Sequence, residues 1–471
     1  MSDPDANAPA NATAAKPGKT WRAGTLVYTS AGVGMVFFWL LLGDFVWSMR
    51  DRTVVPVAQW YLNHLGVSSL LFGLLITSLP AAIGLVVGPI ISVKSDRHRG
   101  ARGRRIPFLL VATPIAAAGM IGMGLTPLVA RGVHALFPMA DARVAAIVCL
   151  AVFLTVYESG SIVVKSVFGG LVNDVVPKEL LGRFYGLFRV ISLADGIVFN
   201  FWIMGFVPTH HALILCVIGA VYGAAFMWVC LKVREGGYPA PSATPGGGGR
   251  ETRGAAGWAR RGALEIRRYC RECYTQSYYV ALFVMMMFAV VAFVPVHVFS
   301  IPQARSLGIS MDAYGKCMAA SYVVSLGLSF FIGWLADKFH PLRVSMAMMA
   351  GYAAVTAWGG FCATTQQAFL VAYVLHTVLA GAYYTGAASL GLRLFPHARF
   401  AQFASAGEVV FALAYIVVAP LVGTLIDASG KNYRLTFFAG SVLAACAFLC
   451  ALHVHARFKK FGGTANYSAP E

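Results

Sequence analysis

Apolar stretches of about twenty residues follow one another along most of the chain, separated by short polar connections. Each is long enough to cross a hydrocarbon core of ~30 Å as a helix. The pattern predicts twelve spans, near 26–49, 69–93, 107–130, 144–171, 184–207, 211–233, 279–302, 313–336, 343–362, 367–395, 400–426 and 432–456. A membrane β-barrel would show segments of about ten residues with alternating polarity, and these stretches are continuous. The predicted fold class is therefore an all-α membrane protein with twelve transmembrane helices in two six-helix bundles. Its expected divisions are a disordered tail (1–25), a first bundle (26–233), a linker (234–278), a second bundle (279–456) and a second tail (457–471).

Composition agrees: 58% of the 471 residues are hydrophobic and 12% charged, where a soluble chain carries roughly 25% charge. The first twenty or so residues are polar, so no cleavable signal peptide is expected. The nine cysteines are scattered and suggest no disulfide framework. Most of the 37 lysines and arginines fall in the tails and in the connections on the same side as the tails. The rule that basic loops stay cytoplasmic places both termini inside a plasma (inner) membrane. The net charge of +18 thus reads as a topology signal. Because the charge is divided among loops, no nucleic-acid partner is expected.

The one long polar connection opens with GGYPAPSATPGGGGR, a flexible linker. No Gly-Lys-Ser/Thr follows its glycine run, so it is not a phosphate loop. It continues as AAGWARRGALEIRRYCREC, where Trp258, Leu264 and Ile266 interrupt five arginines. That pattern predicts a basic amphipathic helix on the membrane surface. Cys270 and Cys273 form a single CxxC, and no metal or other cofactor is expected.

Between spans 2 and 3 the chain reads SDRHRGARGRRIPF (Ser95–Phe108), and between spans 8 and 9 GWLADKFHPLR (Gly333–Arg343). The second resembles the Gly-x-Leu-Ala-Asp-Arg/Lys-x-Gly-x-Arg loop of the major facilitator superfamily, and both occupy corresponding places in the two halves. The longer first loop, with Gly43-Asp44-Phe45 in span 1, resembles the glycoside–pentoside–hexuronide symporters and related sucrose transporters. The resemblance implies a rocking two-bundle transporter with a central cavity lined by spans 1, 4, 7 and 10 and, from the side, span 5. Asp96, Arg97, Arg104, Arg105, Asp337 and Arg343 are then expected to form a conformational gate, pairing only while the cytoplasmic face is closed.

Ionisable groups inside spans cost at least ~2.5–3.5 kcal/mol at the bilayer centre and mark functional positions. Glu158 and Lys165 share one face of span 4; Arg189, Ser192, Gly196 and Asn200 share one face of span 5. Asp195 lies beside that stripe. The expected substrate-binding set is Asp44, Trp47, Tyr157, Glu158, Lys165, Arg189 and Asn200, with the aromatics stacking on a sugar face. The symporter resemblance implies that Asp44 and Arg189 bind sugar hydroxyls. It also implies departures: Lys165 stands near the family's span-4 carboxylate, and Gly84 and Gly88 stand where its sodium site has acids. A proton is therefore the expected coupling ion, with Asp44, Glu158, His297 and Glu408 as coupling candidates. Glu408 is read as more structural or gating than coupling, and His376 as a hydrogen-bonded core residue.

The expected function is proton-coupled symport of a sugar-like solute, a glycoside or sugar acid, by a monomer in the lipid bilayer. The alternative is transport or export of another organic anion or metabolite. No Gly-x-Ser-x-Gly, His-Glu-x-x-His or metal-spaced Cys/His cluster supports an enzyme.

Overall fold

The computed structural model describes residues 19–237, 264 and 267–470, apart from 140, 397 and 398. Helices α1 (Ser30–His64), α2 (Ser69–Arg97), α3 (Ile106–Leu136) and α4 (Ala142–Val175) come first. The 55-residue run Lys178–Lys232 contains α5 (Leu181–Val198) and α6 (Val207–Lys232). Then follow α7 (Ser277–Ser306), α8 (Met311–Phe339), α9 (Pro341–Cys362), α10 (Gln366–Leu394), α11 (Phe400–Ala428) and α12 (Leu435–Lys460). Among the described residues ten helical runs, the 55-residue one counted once, are long and apolar enough to cross a membrane. The 22-residue α9 is not one of them.

The 55-residue run doubles back. Along α5, Phe184 meets Phe37 and Ser192 meets Arg52, so α5 runs parallel to α1. Along α6, His211 stacks on Tyr61, Tyr222 bonds Arg50 and Gly43 packs against Val229, so α6 runs antiparallel to α1. The reversal falls after a π-helical turn at Phe199–Ile203 and a 3₁₀ turn at Met204–Phe206.

Three sequence expectations need correction. The predicted first span, 26–49, is too early at its start and too short at its end. Residues Trp21–Ala23 (β1) and Leu26–Tyr28 (β2) pair as an antiparallel hairpin turned at Gly24, whose φ is 58°. The tail is therefore ordered there. Helix α1 starts only after Thr29, whose hydroxyl accepts the Gly32 N–H at 3.2 Å. It then continues to His64, carrying Arg50, Asp51 and Arg52 within it. At 1.5 Å per residue it is about 50 Å long, well beyond the bilayer core.

The linker helix is the second correction. Residues 267–274 are helical and dock on protein: the Tyr269 and Tyr274 hydroxyls donate to the Gln402 and Ala406 carbonyls of α11 at 3.3 and 2.9 Å. Cys273 is buried and Cys270 exposed. Leu264 is exposed; the glycine run, Trp258 and Ile266 lie outside the described residues. Third, the last residues do not trail away. The Tyr467 hydroxyl donates to the Leu394 carbonyl at 2.8 Å, and that of Tyr279 to the Pro470 carbonyl at 2.8 Å. The tail thus packs under α7 and α10.

His340 joins α8 to α9 with φ at 77°, a left-handed conformation rare outside glycine, asparagine and aspartate. Its Nδ1 accepts the Leu342 N–H at 3.3 Å, capping α9. Burial, with Arg393, Arg343 and His455 nearby, holds the imidazole down to about 4 from the usual 6.5. The folded state needs the neutral ring. Its contribution is complete above about pH 6.5 and is lost as pH falls towards about 4. Between about pH 7 and about pH 5 the melting temperature should fall less steeply in His340→Gly, which accepts the positive φ, than in the parent. Equal slopes would show that His340 does not set it.

Candidate functional site

The two halves of the chain meet along α2 and α11, which run antiparallel. Beginning at the end remote from the termini, the Asp427 carboxylate accepts the Ser69 and Leu70 N–H groups at 2.9 and 3.0 Å. Lys431 donates to both Asp427 and the Ser69 hydroxyl, at 2.6 and 3.1 Å. The Gly423 Cα lies where any side chain would strike the Ser69 carbonyl, and a Cβ on Gly73 would come within 2.7 Å of the Ala419 carbonyl. At the last hydrogen bond between them the Ser78 hydroxyl donates to the Ile416 carbonyl at 2.6 Å. Ser78 ends a π-helical turn (Leu74–Ser78), a distortion frequent at functional sites.

Other cross-half contacts fall towards the same remote end. Arg305 on α7 donates to Asn63 at 2.8 Å and lies over Trp60; Phe72 stacks on Phe299. On α8, Gly315 packs directly on the Asn200 carbonyl. Past Ser78 and Ile416 no further hydrogen bond joins the two helices among the described residues.

Between them opens a cavity of about 810 Å³, walled by α1, α2 and α4 from one half and α11 from the other. Its polar lining is Asp51, Glu158, Lys165 and Glu408 with Tyr157, Tyr415 and the serines of both halves. Lys165 interacts electrostatically with Glu158 on its own helix and with Glu408 from the opposite half. No ion pair within 4 Å joins them among the described residues, so these charges face the open space.

Asp51 is the most firmly placed of these groups. The fully buried Arg50 beside it donates from Nη2 at 2.7 Å, and the Tyr157 hydroxyl donates to the same oxygen at 3.3 Å. Arg50 donates from Nη1 to the Tyr222 hydroxyl at 3.2 Å and lies over the rings of Trp47, Tyr157 and Tyr222. A buried guanidinium is tolerable only when its charge is paired and its donors are engaged. Here those partners also hold one carboxylate towards the cavity. Arg52, on the next face of α1, donates at 2.9 Å to the Tyr322 hydroxyl of the other half and reaches Ser192 at 3.4 Å.

The sequence-derived substrate set divides. Tyr157, Glu158 and Lys165 line the cavity. Asp44 does not: it is fully buried and accepts the Ser48 hydroxyl at 3.2 Å. Trp47 lies under Arg50, and Asn200 is buried with its side chain turned to the Gly196 carbonyl at 2.8 Å. Arg189 is exposed, within electrostatic reach of Arg52 and Tyr322 but outside the cavity lining. His297 is exposed between buried neighbours of α7 and also feels Arg52. Glu408 lines the cavity. His376 is buried, its Nδ1 2.7 Å from the Tyr352 hydroxyl. The sequence reading missed Arg50, Asp51 and Arg52, because three charges in a row read as the end of a span. The signal for a continuing helix was Val54, Val57, Ala58 and Tyr61, all buried at helical spacing.

At the end near the termini the gate residues pair within their own halves. Arg105 donates to Asp96 at 2.8 Å, and Arg104 and Arg105 bind Asp174 of α4 at 2.6 and 2.9 Å. Glu235, just past α6, accepts the backbone N–H groups of Arg104, Arg105 and Ile106 at 3.0, 2.8 and 2.7 Å. Glu235 thus caps the N-terminus of α3. In the second half Arg393 of α10 binds Asp337 at 2.7 Å. Arg97 and Arg343 are exposed. The matching sites carry opposite charges: an acid on α4 holds two arginines, and an arginine on α10 holds an acid.

Residues 277–463 match the family model of the Major Facilitator Superfamily. Among solved structures the fold resembles a bacterial homologue of the human lysosomal transporter Spinster, in an inward-facing and unoccupied conformation. That match has a TM-score of 0.66 at 15% identity, covering 94% of this chain and 100% of the other. It also resembles a D-xylose-proton symporter (TM-score 0.64, 13% identity, 90% and 97% covered) and a nucleoside transporter (0.63, 9%, 90% and 100%). No curated protein matched the sequence. The likeness to these structures is one of fold, and it extends over nearly the whole chain.

Proposed function

We propose that this chain, whose second half carries a Major Facilitator Superfamily domain, is a secondary transporter of a small polar solute. It works by alternating access, with twelve crossings in two six-helix halves and both termini in the cytoplasm of a cell bounded by its plasma membrane. The observation that carries the reading is the cavity: both halves wall it, charged groups line it, and the α2–α11 contacts close it at the end remote from the termini. In this orientation the structure is the inward-open state, and the gate pairs at the cytoplasmic end have exchanged partners across the halves for partners within them.

The solute is sugar-like, held by carboxylates and hydroxyls that bond sugar hydroxyls, with Tyr415 offering a ring face. Three acids against one lysine in the lining favour a neutral or amino-bearing sugar over a sugar acid. A proton couples the cycle, and the unit is a monomer. The test is a thermal-shift screen across neutral sugars, amino sugars and sugar acids, followed by counterflow of the labelled hit in proteoliposomes. Trans-accelerated uptake is expected for a neutral or amino sugar. Binding without counterflow would point to a sensor, and selective binding of sugar acids would overturn the reading of the lining.

A further inference from the structure

Beside the polar cavity the second half holds a smaller recess of about 230 Å³, between α7, α10 and α11. Its origin lies in the sequence. Ala387 and Gly391 line it from α10, and Ala404 and Gly407 from α11. At i, i+4 and i, i+3 spacing each pair shares one helix face, and such small residues leave the space between the helices unfilled. Helix α10 also breaks at Ala388 and Ser389, ahead of its last segment, Leu390–Leu394. The bulky walls are Met286, Phe395 and Phe400. Phe395 is buried, its ring centroid 5.7 Å from that of Phe283 and 6.2 Å from that of Phe400, so neighbouring rings brace the wall.

Glu408 is the only polar side chain that lines this recess among the described residues. Glu408 and Phe411 line the large cavity as well, so the two spaces adjoin at these residues. One is lined by carboxylates, a lysine and hydroxyls, the other by hydrocarbon. A solute that is polar throughout uses only the first and leaves loosely held water in the second. An apolar group placed there displaces that water and gains affinity. A dry apolar cavity of about 150 Å³ suffices for benzene, so this recess takes one aromatic ring.

We propose that the solute is a glycoside with an apolar aglycone of about the size of a phenyl ring. The sugar lies in the large cavity among Asp51, Glu158 and Lys165. The aglycone enters the recess between α10 and α11, and Glu408 at the junction accepts a sugar hydroxyl near the glycosidic bond. The recess, not the charged lining, then selects among glycosides of one sugar. This rests on the sugar reading of the cavity, but the recess can also be probed without a sugar.

The test uses the full chain in nanodiscs and the phenyl and methyl glycosides of glucose and glucosamine. For the sugar that binds, the phenyl glycoside should bind at least about tenfold more tightly than the methyl one. Ala404→Leu, which fills the recess, should bring that ratio to about one. Gly407→Ala, whose added Cβ meets Phe283 and Phe411 at ordinary contact distances of 3.5 and 3.6 Å, folds without strain and should lower the ratio by less. Without any sugar, the fluorine resonance of 4-fluorobenzyl alcohol should be broader with the parent than with Ala404→Leu. A phenyl glycoside no tighter than the methyl one, or a ratio that both variants leave unchanged, would overturn the proposal. If no glycoside binds, the fluorinated alcohol decides. Broadening specific to the parent would keep the recess and count against the sugar reading alone, and its absence would overturn the recess too.

Discussion

Gly423→Val is expected to abolish the proposed transport and to lock the molecule with the end near its termini shut. Gly423 lies against the Ser69 carbonyl with no room even for a Cβ, and Gly73, one turn along α2, is equally tight against Ala419. Backbone-to-backbone approach of this kind requires glycine, and small residues commonly let membrane helices come this close. A valine there does not strain either helix by itself; it forbids their contact. The closure seen here at the end remote from the termini is therefore lost, and the population moves to the state in which α2 and α11 are apart at that end. Losing the Asp427 bonds to Ser69 and Leu70 acts in the same direction as losing the packing.

The measurement is labelling of a cysteine placed at Ser405, inside the cavity, by an impermeant maleimide applied from the side that carries the termini. The parent should label readily and Gly423→Val more slowly by a factor of about ten, the change expected for each 1.4 kcal/mol of population shift. Gly84→Ala is the control: Gly84 lines the cavity on the same helix, and an added Cβ there meets only Ile162 at 3.9 Å. It should label like the parent. Unchanged labelling in Gly423→Val would mean that the α2–α11 contact does not hold the closed end.

The difference between those two glycines shows what the sequence could carry. Hydrophobic length and the two matching loops were enough to anticipate a helical membrane protein and the transporter fold. Nothing local distinguishes Gly423 from Gly84, since the distinction is made by Ser69, some 350 positions away in the chain. The same limit explains the first span. Arg50, Asp51 and Arg52 read as a loop because hydropathy counts a charge without its partners, and those partners, Tyr157, Tyr222 and Tyr322, come from three other helices. Conversely, Asp44 and Asn200 were chosen for polarity on an expected cavity face, and the structure buries both. Polarity within a span marks a position as costly; which space it faces is decided by packing.

Asp51→Asn is the second large effect expected. The carboxylate neutralises Arg50, which has no exposure of its own, while its own side chain is 42% exposed to the cavity. Removing the charge leaves a buried guanidinium with only the Tyr222 hydroxyl as a strong partner, and broken buried pairs cost about 3–5 kcal/mol. Because the cavity admits water to Asp51, the stability loss should fall below that range. Binding should suffer more, since the amide loses the charge-assisted hydrogen bond that a solute hydroxyl would make, worth about 1.5–3 kcal/mol. Affinity for the identified sugar is thus expected to drop by about 10- to 100-fold. Tyr157→Phe removes only the bond that helps aim Asp51, and its cost should be nearer 1 kcal/mol. In the double variant the two losses should not add, because Tyr157 acts on the solute through Asp51. Fully additive losses would show that Tyr157 contacts the solute independently, and full affinity in Asp51→Asn would remove this carboxylate from the binding site.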